Sequence, residues 1–325
     1  MDKLSRLSSI GINIGGASLG AISASYTRGL AVSSFGVTPK QDVKPAPQVR
    51  GDLSTMRVTK GVISYEPSLS FPLDTGDADS ASIGDFLASI FGLETPTAVG
   101  GGVYKHKFTV KNTGTPPWLN LYSNKDAVAK QIVGFMVGQL KISIKANDPV
   151  INVEVSGTAK DESDLAAAQT LAFCDSAIIT PQMASALTFG GAACTFEEIT
   201  LTFTRSQESK KYIDNTRTVN DIISGKDFTW TIEATGVNFA NETERAKFKA
   251  GTASAFRMTL TDDASNYIDF NASSINYTTW DDATINDTDV LTIGIAAIAT
   301  GVLANEWVEL QNAYAKRYDT GADIT

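Results

Sequence analysis

Along most of the chain, apolar side chains recur at every second position, the period of a strand with one buried face. Val58, Ile63, Tyr65, Leu69, Phe71 and Leu73 mark a first extended region, one-faced from Tyr65 onward. Further strands are predicted over Tyr104–Lys111, Trp118–Tyr122, Ile132–Lys145 and Val150–Ala159. Gly134 and Gly138 inside the third of these predict a bulge or bend. One stretch switches period. Ile83, Phe86, Leu87, Ile90 and Phe91 fall at i, i+3, i+4, i+7 and i+8, the stripe of an amphipathic helix. Its start is predicted at Asp79-Ser80 and its stop at Gly92, with the five apolar side chains packing it onto a sheet. The alanine-rich link Glu162–Phe173 has helical tendency.

The second half repeats this texture from about Phe189. Phe196, Ile199, Leu201 and Phe203 predict a strand, and Phe228, Trp230, Ile232 and Ala234 alternate without a break with Thr229, Thr231 and Glu233. Asn241 followed by Glu244 has the form of a capping box and predicts a short helix ending at Gly251. Phe256–Leu260, Ile268–Trp280 and Val290–Thr300 complete the set, and Trp307, Tyr314 and Tyr318 lie in a C-terminal tail. Both halves run strand, helix, strand, strand, long strand, which predicts a duplicated architecture. The predicted organisation is an arm over 1–48, a first β domain over 49–160, a linker over 161–188, a second β domain over 189–302 and a tail over 303–325.

Residues 1–55 lack a clear period. Gly11, Asn13, Gly15, Gly16, Ser18, Gly20 and Ser23 break up the stretch that a secretory signal would need to be continuously apolar, so a flexible or assembly-ordered arm is expected. Val37–Pro47 is extended and punctuated by Pro39, Pro45 and Pro47. It is expected to lie on the body of the chain or on a neighbouring subunit.

Composition narrows the chemistry. Lys and Arg number 27 against 36 Asp and Glu, a formal net charge of -9, which removes any general basic field for nucleic acid or anionic membrane. No apolar run is long enough to span a bilayer. The only histidine, His106, is flanked by Lys105 and Lys107 in an alternating run and reads as an exposed strand residue. One histidine excludes multi-histidine metal sites. Cys174 and Cys194 form no CxxC and read as reduced, half-buried thiols. Asp281–Asp289 reads as a solvated turn and lacks a calcium-loop register. Gly100-Gly101-Gly102 precedes a strand and is no phosphate loop, and Trp118 reads as a buried strand residue. No catalytic, cofactor-binding or metal-binding set is expected.

The order of these motifs resembles the tail tube (major tail) proteins of bacteriophages with long non-contractile tails, in the internally duplicated form. The resemblance rests on Val49-Arg50-Gly51-Asp52 leading to Lys60-Gly61-Val62-Ile63-Ser64, on the helix Ile83–Gly92, on Pro117–Tyr122, and on Gly134–Ile144. In the second half it rests on Gly225-Lys226-Asp227-Phe228 entering a strand before a Glu-rich helix start. The resemblance implies a mainly β chain: two tandem sandwich or barrel domains, each with a short flanking helix, plus an extended N-terminal arm. It implies a virion structural protein that self-assembles into stacked rings, three copies to a pseudo-sixfold ring, enclosing a channel for DNA. Implied partners are other copies of the chain, other tail proteins at the tube ends, and viral DNA passing without specific binding. No membrane or cofactor is implied, and assembly is expected in the host cytoplasm. Pro39, Lys40, Lys44, Pro45, Pro47 and Arg50 would form an arm locking one ring to the next, and acidic residues would line the channel. Deleting 1–47 is then expected to leave a folded subunit that stacks poorly. The competing reading is a β-rich adhesin or receptor-binding module, which calls for aromatic residues at loop tips.

Overall fold

A computed structural model describes residues 9–15, 25–45, 58–111, 115–125, 128–174, 178–212, 218–239, 242–262, 265–281, 293–300, 305–322 and 324. The first half contains β1 (Ser9–Ile14), β2 (Gly29–Ala31), β3 (Ser34–Pro45), β4 (Val58–Pro72), α1 (Ile83–Phe91), β5 (Gly92–Gly100), β6 (Val103–Val110), β7 (Leu119–Lys125), β8 (Val128–Lys145), β9 (Asn152–Thr158) and β10 (Asp161–Leu165). A 3-10 turn at Pro181–Met183 leads into the second half. There follow β11 (Ala184–Phe189), β12 (Ala192–Thr195), β13 (Glu198–Lys210), β14 (Asp221–Phe239), α2 (Thr243–Ala250), β15 (Ser254–Thr261), β16 (Tyr267–Asp281), β17 (Ile293–Ala299) and β18 (Glu306–Asn312). The molecule is mainly β. Each half contains a long antiparallel hairpin, then a helix ending on a left-handed glycine (Gly92, Gly251), then a shorter hairpin.

β8 organises the first half. Its opening part pairs with β7 and β10, and its closing part with β9 and β13. The direction changes where expected: Gly134 has φ 68, and the ladders shift register around residues 133–134 and at Gly138. Such extra residues let one strand serve two sheets. In the second half β11, β12, β14, β17, β16 and β15 pair in a closed ring, a six-stranded barrel. Closure leaves those strands no free edges. Among the described residues, two strand ladders join the halves, β8 with β13 and β6 with β18. The predicted tail is therefore a strand, with Tyr314 and Tyr318 buried beyond it. The predicted arm contributes β1, β2 and β3; Ile10 and Ile12 of β1 and Leu30 of β2 are buried. Deleting 1–47 would thus cut into the core, contrary to the sequence expectation.

α1 begins later than Asp79-Ser80. Asp77 accepts from the backbone N–H groups of Asp79 and Ser80, holding them in a turn of their own. Ser82 caps the helix instead, and Asp85 returns a bond from the Ser82 N–H at 3.0 Å. All nine helix residues are buried, not the apolar stripe alone. The polar side is covered and satisfied: Asp85 pairs with Arg28 at 2.7 Å, Ser89 accepts from Val137 N–H, and the Tyr318 ring lies over Gly84. The Glu162–Phe173 link is not helical. Its start is β10, where the β8 ladder and a Lys130–Glu162 pair at 2.9 Å outweigh alanine's helix propensity.

Candidate assembly interface

The proline-punctuated segment lies on the chain's own body. Pro39 stands opposite Tyr65 and Lys40 opposite Ser64 in the β3–β4 hairpin. β4 pairs with β9 only over 68–72, so the distal part of the hairpin runs on as a two-stranded ribbon. Isolated bridges from Tyr65 to Ala159 and Ile63 to Thr218 tether it. A two-stranded ribbon is marginal in water by itself. The outer edge of β3 has no named ladder partner among the described residues, and Pro39, which lacks an N–H, is compatible with such an edge. Pro39 and Lys40 are exposed, and Lys40 pairs with Glu66 at 2.6 Å. The backbones of Lys44 and Pro45 continue the ladder opposite Thr59 and Val58. Pro47 and Arg50 lie outside the described residues.

The helix residues named from the sequence sit elsewhere, wholly inside. Ile83, Phe86, Leu87, Ile90 and Phe91 are buried against β5, β6, β8 and β13. Phe86 meets Phe71 at 5.3 Å between ring centres, and Phe91 meets Phe203 at 5.3 Å and Phe228 at 5.1 Å. Arg205 of β13 closes the end of α1, its guanidinium donating to the carbonyls of Ile90, Phe91 and Lys111 at 3.0–3.1 Å. Burial lowers its pKa from the ordinary value. A cation at a helix C-terminus meets the negative end of the helix dipole. The signal was present in the sequence: Ile199, Leu201, Phe203 and Arg205 share one strand parity, so period two already pointed Arg205 inward.

A polar surface covers one face of the seven-stranded run β3–β4–β9–β8–β13–β14–β17. Ser34, Ser70, Glu154, Lys141, Thr202 and Thr231 stand in one cross-strand row across six of these strands. Ser68, Ser156, Gln139, Thr204 and Thr229 form the next. The charges on this face largely pair with each other, Lys141 with Glu154 at 3.7 Å and Lys145 with Glu198 at 3.2 Å. It is a surface of small hydroxyls with little net charge.

No cluster of three or more His, Cys, Asp or Glu suited to a metal occurs among the described residues. His106 is the clearest departure from the sequence reading: it is fully buried. Its flanking lysines do face out, but the imidazole points to the core. Nδ1 lies 2.7 Å from Glu94 Oε1 and Nε2 3.0 Å from the Tyr314 carbonyl. The ring thereby pins the C-terminal segment, since Glu94 also accepts from Asp319 N–H. Glu244 is likewise not a helix cap. It turns inward to accept from Lys247, Ser254 and Tyr277. Burial opposes its charge, but these bonds outweigh that and lower its pKa. Asn241 lies outside the described residues, as does most of Asp281–Asp289. Neither cysteine is in a disulfide and both are half-buried, and burial pushes the Cys194 thiol up to about 12, which makes it a poor nucleophile. Trp230 is buried, Trp118, Trp280 and Trp307 are half-buried beside or within strands, and no helix of the described residues is long and apolar enough to cross a membrane.

Comparison with known proteins agrees with this mainly β arrangement. No individual curated protein matches the chain. A family model described as phage tail tube protein matches residues 14–300, most of its length. The span takes in the ribbon, the polar sheet face and the barrel together. A chain matched so fully belongs to the phage tail tube protein family and is a structural component of the virion tail.

Proposed function

We propose that copies of this chain close into rings, three to a ring with pseudo-sixfold symmetry, and that the rings stack into a tube that conducts DNA during ejection. The observation that carries this reading is the β3–β4 ribbon, an extended edge that runs past its own sheet and offers backbone N–H and C=O groups to a neighbour. The ribbon would lock successive rings, with Pro39, Lys40, Lys44, Pro45, Pro47 and Arg50 on or next to it. The two recurring hairpin–helix–hairpin orders, β3 to β6 and β13 to β16, would supply the two pseudo-equivalent positions of each subunit. Assembly takes place in the host cytoplasm, and other tail proteins cap the ends.

The hydroxyl face is our candidate for the channel wall. It replaces the acid-lined wall expected from composition, because its charges are few and paired. Phosphates are held by unpaired lysine and arginine, with a binding slope of about −0.9 per phosphate contact in log affinity against log salt. A wall without them lets a polyanion slide.

Negative-stain imaging of the purified protein is expected to show rings or tubes about a central hole. A concentrated sample that stays monomeric overturns the proposal. Virions carrying Thr202→Lys and Glu233→Lys are expected to eject DNA more slowly, with the rate restored by salt. An unchanged rate would remove this face from the channel.

A further inference from the structure

The broad sheet repeats itself. Its strands run β3–β4–β9–β8 and then β13–β14–β17–β16. Each set of four opens with a long hairpin whose second strand leads to a helix, β4 to α1 and β14 to α2. Each set ends on the closing part of a long strand whose opening part belongs to other ladders. β8 and β16 slip register against their neighbours in the same way, between Val137 and Gln139 and between Tyr277 and Thr279. Within the chain the two sets are joined where β8 ladders with β13. At the two ends of the run that joint has no counterpart. Among the described residues, neither the outer edge of β3 nor that of β16 over 276–281 has a ladder partner.

Side chains at those ends match the missing neighbour. In the β8–β13 joint the inward residues Leu140, Ile199 and Leu201 are fully buried. On β3 the inward Phe35 and Val37 pack against the core but stay half-buried, and so does Trp280 on β16. The repeat also sets a register. Two residues beyond Gln139, Lys141 stands in line with Glu154, Ser70 and Ser34. Two residues beyond Thr279, Asp281 stands opposite Gly294, which falls in the β14–β17 register shift level with Thr235 and so with Glu198. Ser34 therefore matches Glu198, Thr38 matches Thr202, and Asp281 matches Lys141.

From this repeat we infer that the outer edge of β3 in one copy pairs antiparallel with the closing part of β16 in the next, as β13 pairs with β8 inside the chain. Lys141 faces Thr202 in the internal joint, so Asp281 faces Thr38 of the next copy and Trp280 faces its Pro39. The occupant is a second copy because the chain already builds this joint once from its own two sets. The inference rests on the ring reading and gives it a side-to-side contact. The two edges differ, so the contact is heterologous, joining copies head to tail. Pairing removes both exposed edges and covers the half-buried Phe35, Val37 and Trp280. The far end of the ribbon, where Lys44 and Pro45 stand opposite Thr59 and Val58, is left for the next ring.

Thr38→Cys and Asp281→Cys test the joint without touching the core, because both positions are exposed in the single chain. Residues directly opposite in an antiparallel pair lie about 4.5–5.5 Å apart at Cα, within reach of a disulfide. Within one chain eight strands, roughly 34 Å along the sheet, separate the two positions, so a bridge has to join two copies. The double variant, assembled and mildly oxidised, is expected to run as two and three linked chains on a non-reducing denaturing gel and as single chains after reduction. Each single variant is expected to stay unlinked, and an equal mixture of the two to give linked pairs and nothing larger. Rings of the double variant whose chains run singly before reduction overturn the inference. If the double variant forms no rings, the mixture decides, and unlinked chains there overturn the inference as well. Absence of rings in the unsubstituted protein, by contrast, sinks the assembly reading itself.

Discussion

Arg205 shows how a single buried side chain holds the halves together. Arg205 has no carboxylate partner among the described residues; it is held by carbonyl oxygens at the end of α1 and at Lys111. Arg205→Ala is expected to cost about 2–3 kcal/mol, the penalty of leaving such acceptors unsatisfied. A lower urea midpoint measures it, and an unchanged midpoint would show that water replaces the guanidinium freely. Asp74 behaves in the opposite sense. Burial raises its pKa from 3.8 to about 6, so the folded state binds a proton that the unfolded state has released. Its contribution is favourable at low pH and is lost as pH climbs from about 4 past 6. Asp74→Asn is expected to raise stability at pH 7.5 by on the order of 1–3 kcal/mol and to leave pH 4 almost unchanged. Equal effects at both pH values would contradict the assignment. His106 carries the lesson about reading residues from a pattern. Its lysine neighbours suggested water, but alternation placed it between them on the opposite face, with Phe108.

Elements with strong periods were legible, and elements defined by distant partners were not. The α1 stripe, the β14 alternation and the bend at Gly134 and Gly138 all follow from local pattern. The burial of the polar side of α1 does not, because Arg28 and Tyr318 come from opposite ends of the chain. β1 and β10 were missed for the same reason: short, polar-interrupted strands exist only because β7 and β8 offer ladders. The ribbon is the element whose function is most open to test. Replacing 40–63 by a tight turn keeps the β4–β9 pairing and the buried Leu69 and Phe71. Subunits so shortened are expected to form single rings that fail to stack under the electron microscope. Tubes of ordinary length would deny the ribbon its locking role.

On the scale of the whole molecule, the family character was carried by the order of elements, and the closed barrel by pairings that no local pattern announces. β12, only four residues long, joins β11 to β14 and completes that barrel. The same long-range bonding ties the two halves into one body, since β8 ladders with β13 and β6 with β18. A subunit of this kind has no hinge at its middle. On the ring reading proposed above, any bending of the tube would fall at the joints between rings, where slender ribbons can flex while each ring keeps its bore constant.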